Sequence, residues 1–292
     1  MPLDAYGRNR HTVLPMTLLN DLGDADYKAL EGVNFSSFKN FFVSPYHYLW
    51  SKNHPEKETD DLVVGNAIHC AVLQPALFDK KFAVAPKVDR RKTEDKIIWN
   101  EFVEASKGRS VLTDEQFELV LQCASAIKDN KYFRSITEEN DEIVIESAGN
   151  CEFAGSVIKG RIDLYNKTKN VIFDIKSCKD LPTHSQMSKY ASNRLHYMQA
   201  FFYSEIVMKR YNLKERPQVV FGYVHKKAPF TIGLSQFGPI YISKAHEQLS
   251  SALCRFENCK VNNSFPEATT STHPSIMEPY GLDTAETTDE SE

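Results

Sequence analysis

The stretch VIKGRIDLYNKTKNVIFDIK, residues 157–176, decides the fold. Its two ends, Val157 to Tyr165 and Val171 to Lys176, are rich in β-branched and aromatic residues, and a short segment of Asn, Lys and Thr separates them. Runs of this composition on either side of turn residues are typical of two strands joined by a hairpin. The stretch therefore predicts two neighbouring strands of one sheet.

Strand alternation predicts which side chains of this hairpin meet. Residues two apart face the same side, so Asp174 and Lys176 are expected on one face of the second strand, with apolar residues on the other. In the first strand, Ile162 and Leu164 are expected on one face and Asp163 on the opposite one. Two carboxylates and an ammonium then converge, and a divalent cation would offset the repulsion between the acids. Taken alone, the pattern fits two surface ion pairs as well.

Periodicity elsewhere predicts the rest of the architecture. Apolar residues at helical spacing predict helices over 60–73, 97–105, 113–130 and 189–211, whereas β-branched runs predict strands over 142–146 and 218–225. An aromatic segment, Asn34 to Trp50, predicts a helix that opens at Ser residues and stops at Pro45, and the charged stretch 87–96 predicts a surface loop. The order predicts an α/β core with helices added mainly on the N-terminal side.

Two of these helices add polar groups to the candidate site. Gly65 and His69 lie one turn apart in the first helix, and Gln199 and Tyr203 lie one turn apart in the later one. Each pair also has an ordinary interpretation. For His69 it is a core histidine whose hydrogen bonds are satisfied, and for Gln199 and Tyr203 it is polar residues that line a surface. Their occurrence around the acidic hairpin, in this order, favours a shared site.

Four motifs occur in order along the chain, namely GNAIH (65–69), GRID (160–163), DIK (174–176) and QAFFY (199–203). They resemble the PD-(D/E)xK nucleases, in their RecB-like branch, and most of all the RecE-type exonucleases (exonuclease VIII) of phages and prophages, with softer similarity in SPYHYLW (44–50) and FAVAPKVDRRK (82–92). The resemblance implies a restriction-endonuclease-like α/β core, a small mixed sheet flanked by helices. We expect an N-terminal extension over 1–30, a nuclease domain over 31–262 and a disordered acidic tail over 263–292.

The resemblance also implies a metal centre. His69, Asp163, Asp174 and the carbonyl of Ile175 would bind Mg²⁺, with Mn²⁺ as a substitute because imidazole suits Mn²⁺ better than Mg²⁺. Lys176 would hold or deprotonate the attacking water.

Other matching residues would support that centre. Gln199 and Tyr203 would position DNA or the groups of the metal site. Glu146, near the end of a predicted strand, is either a further ligand or an exposed strand carboxylate.

The function that the resemblance implies is digestion of one strand of linear double-stranded DNA. The enzyme would act from 5′ to 3′ and leave 3′ overhangs for recombination by a RecT-like single-strand annealing protein, and it would assemble as a ring-like homo-oligomer in the bacterial cytoplasm. Two alternatives remain open: a single-strand exonuclease or structure-selective endonuclease on the same core, and a catalytically silent DNA-binding recombination protein.

Two cofactors of other nucleases are not expected. The segment GSVIKGRI (155–162) has Arg161 where a phosphate loop has Lys, and a strand pattern follows it, so ATP binding is not predicted. Cys254 and Cys259 lack the further cysteines that an iron–sulfur cluster needs.

Composition sets the remaining limits. The chain has 292 residues, six scattered cysteines without a CxxC pair and no long apolar run, which argues against a disulfide scaffold, a zinc ribbon or a membrane span. The net charge is −4, but seven acids and no Lys or Arg fall after residue 265, so the preceding body is mildly basic. Candidate DNA contacts are Arg90, Arg91 and Lys92 of the loop, which alternatively is only solvated, together with Arg161 and Arg194.

Overall fold

The computed structural model describes residues 24–55 and 57–267. Most of the predicted N-terminal extension and of the acidic tail lies outside these ranges, so both boundaries stay predictions. Within the described ranges, no helix is sufficiently long and apolar to cross a lipid bilayer.

The helices of the described ranges are α1 (Asp24–Ala29), α2 (Phe35–Phe38), α3 (Pro45–Asn53), α4 (Asp60–Leu73), α5 (Phe78–Lys81), α6 (Thr93–Ala105), α7 (Asp114–Asp129), α8 (Lys131–Ser135), α9 (His184–Asn193), α10 (His196–Tyr211) and α11 (Pro239–Val261). The strands are β1 (Val33–Asn34), β2 (Phe82–Val84), β3 (Ser110–Leu112), β4 (Ile143–Phe153), β5 (Ser156–Asn166), β6 (Val171–Cys178), β7 (Gln218–His225) and β8 (Ile232–Gln236).

A mixed sheet forms the centre of the fold. Its order is β1-β5-β6-β7-β8, with β4 paired to β5. The hairpins β4–β5 and β5–β6 are antiparallel, β6 and β7 are parallel, and α9 and α10 make the crossover that a parallel pair requires. Helices α4 and α7 cover one side of the sheet and α10 and α11 the other. This architecture confirms the predicted α/β class.

The sheet has a gap along β5. While β4 occupies one edge of β5, the other edge pairs with β1 at Ile158 and Lys159 and with β6 from Leu164 to Asn166. Residues 160–163 between them pair with neither strand on that edge. The side chain of Asp163 enters the gap, where its Oδ2 accepts a hydrogen bond of 2.9 Å from the backbone N–H of Ile175. The gap joins the two sides of the sheet at the candidate site.

One predicted face assignment is wrong. Ile162 packs in the cluster under α10, whereas Leu164 packs in the cluster under α4 and α7, on the other side of the sheet. The cause is Glu146, which lies opposite Asp163 and has a positive φ of 49°. This conformation interrupts the β4–β5 pairing without changing its register, so the alternation of faces changes side at Asp163.

The prediction of one aromatic helix over 34–50 is also wrong, because this segment forms two α-helices separated by a 3₁₀ turn. The Asn34 side chain caps α2, a 3₁₀ turn follows over Lys39–Phe42, and Pro45 begins α3 instead of ending a helix. Proline is well suited to a first helical position, where its missing N–H would have no partner in any case. Ser44 caps this second start by accepting a hydrogen bond from the His47 N–H.

Other boundaries differ from the sequence prediction in a similar way. The predicted helix over 189–211 is α9 and α10, separated at Leu195, whose φ of 55° is left-handed. The charged stretch 87–96 is only partly a loop, because α6 begins at Thr93. Helix α11 was not predicted, although Ala245, Leu249 and Phe256 at helical spacing all become buried on one face.

Candidate metal centre and active site

Helix α4 carries His69 and is anchored at its first turn. Thr59 caps the helix, and the Asp61 carboxylate lies 2.7 Å from Lys179 Nζ and 2.8 Å from Lys226 Nζ. Hydrogen bonds from these two ammonium groups lower the pKa of Asp61 to about 2. Because Lys179 and Lys226 directly follow β6 and β7, the contacts fix the start of α4 against the ends of the two central strands.

His69, Glu146 and Asp163 form a cluster with ligand atoms within 4.8 Å of one another, which we call the acidic trio. His69 Nδ1 lies 3.2 Å from Asp163 Oδ2. Burial, together with the negative charge of Asp163, raises the pKa of Glu146 to about 7. The Asp163 carboxylate therefore disfavours the charged form of Glu146, and a bound cation would remove this conflict.

Asp174 and Lys176 lie beside the trio, on the α10 side of the sheet. Asp174 is 2% exposed, and its Oδ1 is 2.5 Å from Lys176 Nζ. Burial raises the pKa of Asp174, the charge of Lys176 opposes this rise and that of Asp163 adds to it. Asp174 Oδ1 has the Lys176 ammonium beside it and no further hydrogen-bond partner among the described residues. A buried carboxylate oxygen in this state is suited to a further ligand.

Helix α10 completes the surroundings of Asp174. Gln199 Nε2 donates a hydrogen bond of 3.3 Å to Asp174 Oδ2, and Gln199 also hydrogen-bonds Tyr203. Burial, with the charges of Asp174 and Asp163, raises the pKa of Tyr203 well above its usual value, so its hydroxyl stays protonated. Gly160 permits this approach, because a Cβ there would lie 3.2 Å from two carbons of the Tyr203 ring.

The structure thus brings most of the predicted site residues together, and Asp163 links them. It contacts His69 from the α4 side and accepts the N–H of Ile175 through the gap. Glu146 lies within the trio and is not an exposed strand carboxylate. Whether each of these residues binds metal stays a prediction.

The predicted DNA-binding residues divide into two groups. Arg90, Arg91 and Lys92 lie just before α6, where Arg90 stacks on Trp99 at 4.7 Å and Arg91 Nε lies 3.7 Å from Asp89. Arg194 ends α9, with its guanidinium 5.6 Å from the Tyr190 ring. These local contacts do not bring them to the acidic trio. Arg161, in contrast, lies beside it.

A cleft of about 530 Å³ opens over the acidic trio. Its walls include Arg161 and two lysines that the sequence interpretation does not name, Lys80 and Lys81 of α5. The sequence offers only an adjacent pair of lysines, a pattern common on protein surfaces. Their position at the cleft depends on tertiary structure, since α5 leads into β2, which pairs with the distant β3.

The residues present fit a divalent metal ion. The donor set of two carboxylates and one imidazole is the kind that binds Mn²⁺ and tolerates Mg²⁺. The pKa of Glu146, raised by burial and by the charge of Asp163, indicates carboxylate charge that the surrounding protein groups do not fully offset. Asp163, Glu146 and His69 would hold the ion, with Asp174 adjacent.

Solved structures share the fold. A protein from Eubacterium rectale, whose assignment as an exonuclease is itself provisional, superposes with a TM-score of 0.62 at 14% identity, over 89% of this chain and 96% of its own. A phage-related exonuclease from Haemophilus somnus 129PT gives a TM-score of 0.34 at 16% identity, over 82% of this chain and all of its own. At such identities the first likeness shows the fold alone.

Comparison by sequence identifies the family. No curated protein matches the chain. Residues 34–273 match the family described as a PDDEXK-like domain of unknown function (DUF3799), and this range includes the acidic trio, Asp174 and Lys176. The chain belongs to this PDDEXK-like family.

Proposed function

We propose that the protein is a divalent-metal-dependent nuclease that hydrolyses phosphodiester bonds of DNA. The observation that carries the proposal is the continuous set of contacts from His69 through Asp163 to the Ile175 backbone, next to the buried Asp174–Lys176 ion pair. Acidic residues that share a site with a lysine and an imidazole suit phosphoryl chemistry, in which negative charge develops on the phosphate oxygens.

The side chains divide the work as follows. A divalent ion held by Asp163, Glu146 and His69 would polarise the phosphate and lower the pKa of water. Lys176, kept near Asp174 by the ion pair and lying 5.7 Å from the Phe221 ring, orients the attacking water and donates hydrogen bonds to the phosphate oxygens on which negative charge develops. Gln199 holds the second oxygen of Asp174, so that this carboxylate keeps its orientation. Tyr203, whose hydroxyl stays protonated, would position DNA or the groups of the metal site.

On DNA, we propose digestion of one strand of linear duplex from the 5′ end, which leaves a 3′ overhang for a RecT-like annealing partner and for recombination. A ring-like homo-oligomer would keep the enzyme bound to the DNA through successive cleavages. Support for this narrower proposal comes from the resemblance of the GNAIH, GRID, DIK and QAFFY motifs to RecE-type exonucleases.

The test is incubation of end-labelled linear duplex, single-stranded DNA and covalently closed circles with Mg²⁺, with Mn²⁺ or with EDTA. We expect loss of the 5′ label from the linear DNA, intact circles and no reaction in EDTA. Asp174→Ala and Lys176→Ala should each reduce the rate by at least about 10²-fold, the size expected for loss of a group acting at the reacting atoms.

The control variant is Lys214→Gln, which removes an exposed charge beyond the end of α10 and should keep full activity. Cleavage of circles would instead identify an endonuclease, and release confined to single-stranded DNA would identify a single-strand exonuclease. If the wild-type protein binds DNA but releases no nucleotide with either metal, the nuclease proposal fails and a DNA-binding role remains.

A further inference from the structure

The first turn of α10 carries a buried histidine that the proposed reaction does not yet use. Leu195, with its left-handed φ of 55°, separates α9 from α10, and His196 is the first residue of α10. His196 is 3% exposed. Gln199, which donates a hydrogen bond to Asp174, follows three residues later. Because residues at this spacing are neighbours on a helix surface, His196 and Gln199 both face the central strands.

Strand β7 places two aromatic rings next to Lys176. In the parallel register of β6 and β7, Tyr223 pairs with Lys176 and Phe221 pairs with Asp174, so that all four side chains face the same side of the sheet. Both rings are buried. Lys176 Nζ lies 5.7 Å from the centroid of the Phe221 ring, within the range of a cation–π contact. These two rings therefore form the surface on which the Lys176 side chain lies.

His196 contacts both of these rings. Its imidazole stacks on Phe221, with ring centroids 5.1 Å apart and an interplanar angle of 12°. Its Nδ1 lies 2.7 Å from the hydroxyl oxygen of Tyr223, which is a hydrogen-bond distance. The hydrogen bond fixes the plane of the imidazole, and the stack fixes the plane of the Phe221 ring. A ring held in this way limits the positions that are open to the ammonium of Lys176.

The surroundings of His196 keep its imidazole neutral. Burial lowers the pKa of His196 to about 3, and the positive charges of Lys176, Arg194 and Lys39 add to this effect. A group with such a pKa does not exchange a proton near neutral pH, so His196 is unsuited to acid–base catalysis. A neutral imidazole can accept a hydrogen bond from a neighbouring hydroxyl and places no further positive charge beside Lys176.

We propose that His196 is a positioning residue for Lys176 and acts through the Phe221 ring on which it stacks. This rests on the proposed nuclease function, in which Lys176 orients the attacking water. The first turn of α10 then has two related tasks. Gln199 orients Asp174, and His196 orients the lysine that forms an ion pair with it.

Two substitutions separate the ring of His196 from its hydrogen bond. His196→Gln removes the ring and keeps an acceptor, whereas His196→Phe keeps a ring that can stack on Phe221. The measurement is single-turnover digestion with Mg²⁺ of the DNA form that the wild type digests. We expect His196→Gln to lower the rate about tenfold, because a small displacement of a reacting group is costly, and His196→Phe to stay within about threefold of the wild type. A tenfold loss in His196→Phe would contradict the proposal.

A double-mutant cycle with Lys176→Ala shows whether the loss depends on the lysine. In that background, His196→Gln should lower the remaining rate by less than about twofold, since the group that His196 positions is already absent. A purely structural role would lower both rates by the same factor, which would overturn the proposal, as would an unchanged rate in His196→Gln alone. His246→Gln is the matched control, because His246 contacts Phe153 and Phe201 instead of the β7 rings, and it should keep the full rate.

A second readout does not depend on digestion. In metal-free protein, acetylation of Lys176 by acetic anhydride is followed by mass spectrometry of its peptide. His196→Gln should make this reaction several-fold faster, while the buried Lys159 should react slowly in both proteins and so report an intact fold. Equal rates at Lys176 would refute its positioning by His196, even where wild-type digestion upholds the nuclease proposal. A faster reaction in a protein whose wild type digests no DNA would show that the contact exists and that the nuclease proposal fails.

Discussion

Glu146 combines an unusual backbone with an unusual side-chain environment. Its φ of 49° places a non-glycine residue in the left-handed region, which costs on the order of 1 to 2 kcal/mol. The same conformation interrupts β4 opposite Asp163 and brings the Glu146 carboxylate to the trio. The backbone strain at Glu146 and the burial of its carboxylate near the negative charge of Asp163 both lower the stability of the fold. A metal site at this residue would explain both costs.

This cost gives the metal-free protein a specific pH dependence. Because burial raises the pKa of Glu146 to about 7, folding favours its protonated form. Its contribution to stability is complete at pH values below its usual pKa and is lost as the pH rises through about 7. Glu146→Gln should therefore raise the Tm of metal-free protein at pH 8 by a few degrees, at about 2 to 4 °C per kcal/mol, and leave it unchanged at pH 4.5.

The measurement is thermal unfolding in EDTA at both pH values. Glu139→Gln is the matched control, since Glu139 is an exposed acid before β4 and its replacement should not alter the pH profile. Equal profiles for Glu146→Gln and the wild type would show that the Glu146 carboxylate is not destabilised by burial.

The two central strands depend on a glycine that the sequence does not single out. Gly222 of β7 pairs with Ile175 of β6, and a Cβ at this position would lie 2.4 Å from Cζ of Phe173, a core side chain that is 1% exposed. Gly65 of α4 is different, because a Cβ there would make an ordinary contact of 3.6 Å with Ser177 Oγ. The presence of glycine at position 65 suggests a tight space beside His69, but this contact shows that the space is less restricted.

Alanine at these two glycines should have opposite effects. Gly222→Ala should lower the free energy of unfolding by about 1 to 3 kcal/mol, because Phe173 has no room to move. Gly65→Ala should raise it by about 0.5 to 1 kcal/mol, the usual gain within a helix. Urea unfolding at constant m-value measures both. A stable Gly222→Ala protein would mean that Phe173 repacks freely.

Helices and strands differ in how well the sequence predicted them. Helix α4 and strand β7 have the predicted bounds, Asp60–Leu73 and Gln218–His225, because periodicity and capping agree there. The reversal of faces between Ile162 and Leu164 was not predictable, since alternation assumes regular strands and the positive φ of Glu146 breaks it. The predicted helix end at Pro45 failed for another reason. Proline is found both after the end of a helix and at its first position, and here it begins α3.

The candidate site was partly predictable from motifs because its residues lie in regular elements. His69 follows from the spacing within α4, and Asp174 and Lys176 from alternation within β6. Lys80 and Lys81 were missed because their approach to the trio depends on the long-range pairing of β2 with β3. Local patterns carry no information on contacts of this kind.

The gap in the sheet explains how both sides of the molecule reach one site. His69 approaches from the α4 side, whereas Gln199 and Asp174 belong to the α10 side, and an unbroken sheet would keep them apart. Asp163 occupies the break and contacts both groups, through His69 Nδ1 and the N–H of Ile175. A cation bound at Asp163 would therefore hold the two halves of the core together.

Divalent metal should for this reason stabilise the folded protein as a whole. An ion that binds only the native state adds about 2.7 kcal/mol at a concentration of 100 times its Kd. We expect Mn²⁺ to raise the Tm of the wild type and of Lys214→Gln alike. Asp163→Asn should lose most of this rise, because it removes the charge but keeps an acceptor for the Ile175 N–H. The comparison is made with and without metal within each protein, so a lower starting Tm of the variant does not affect it. An equal rise in Asp163→Asn would mean that the ion binds elsewhere, and the acidic trio would not be the metal centre.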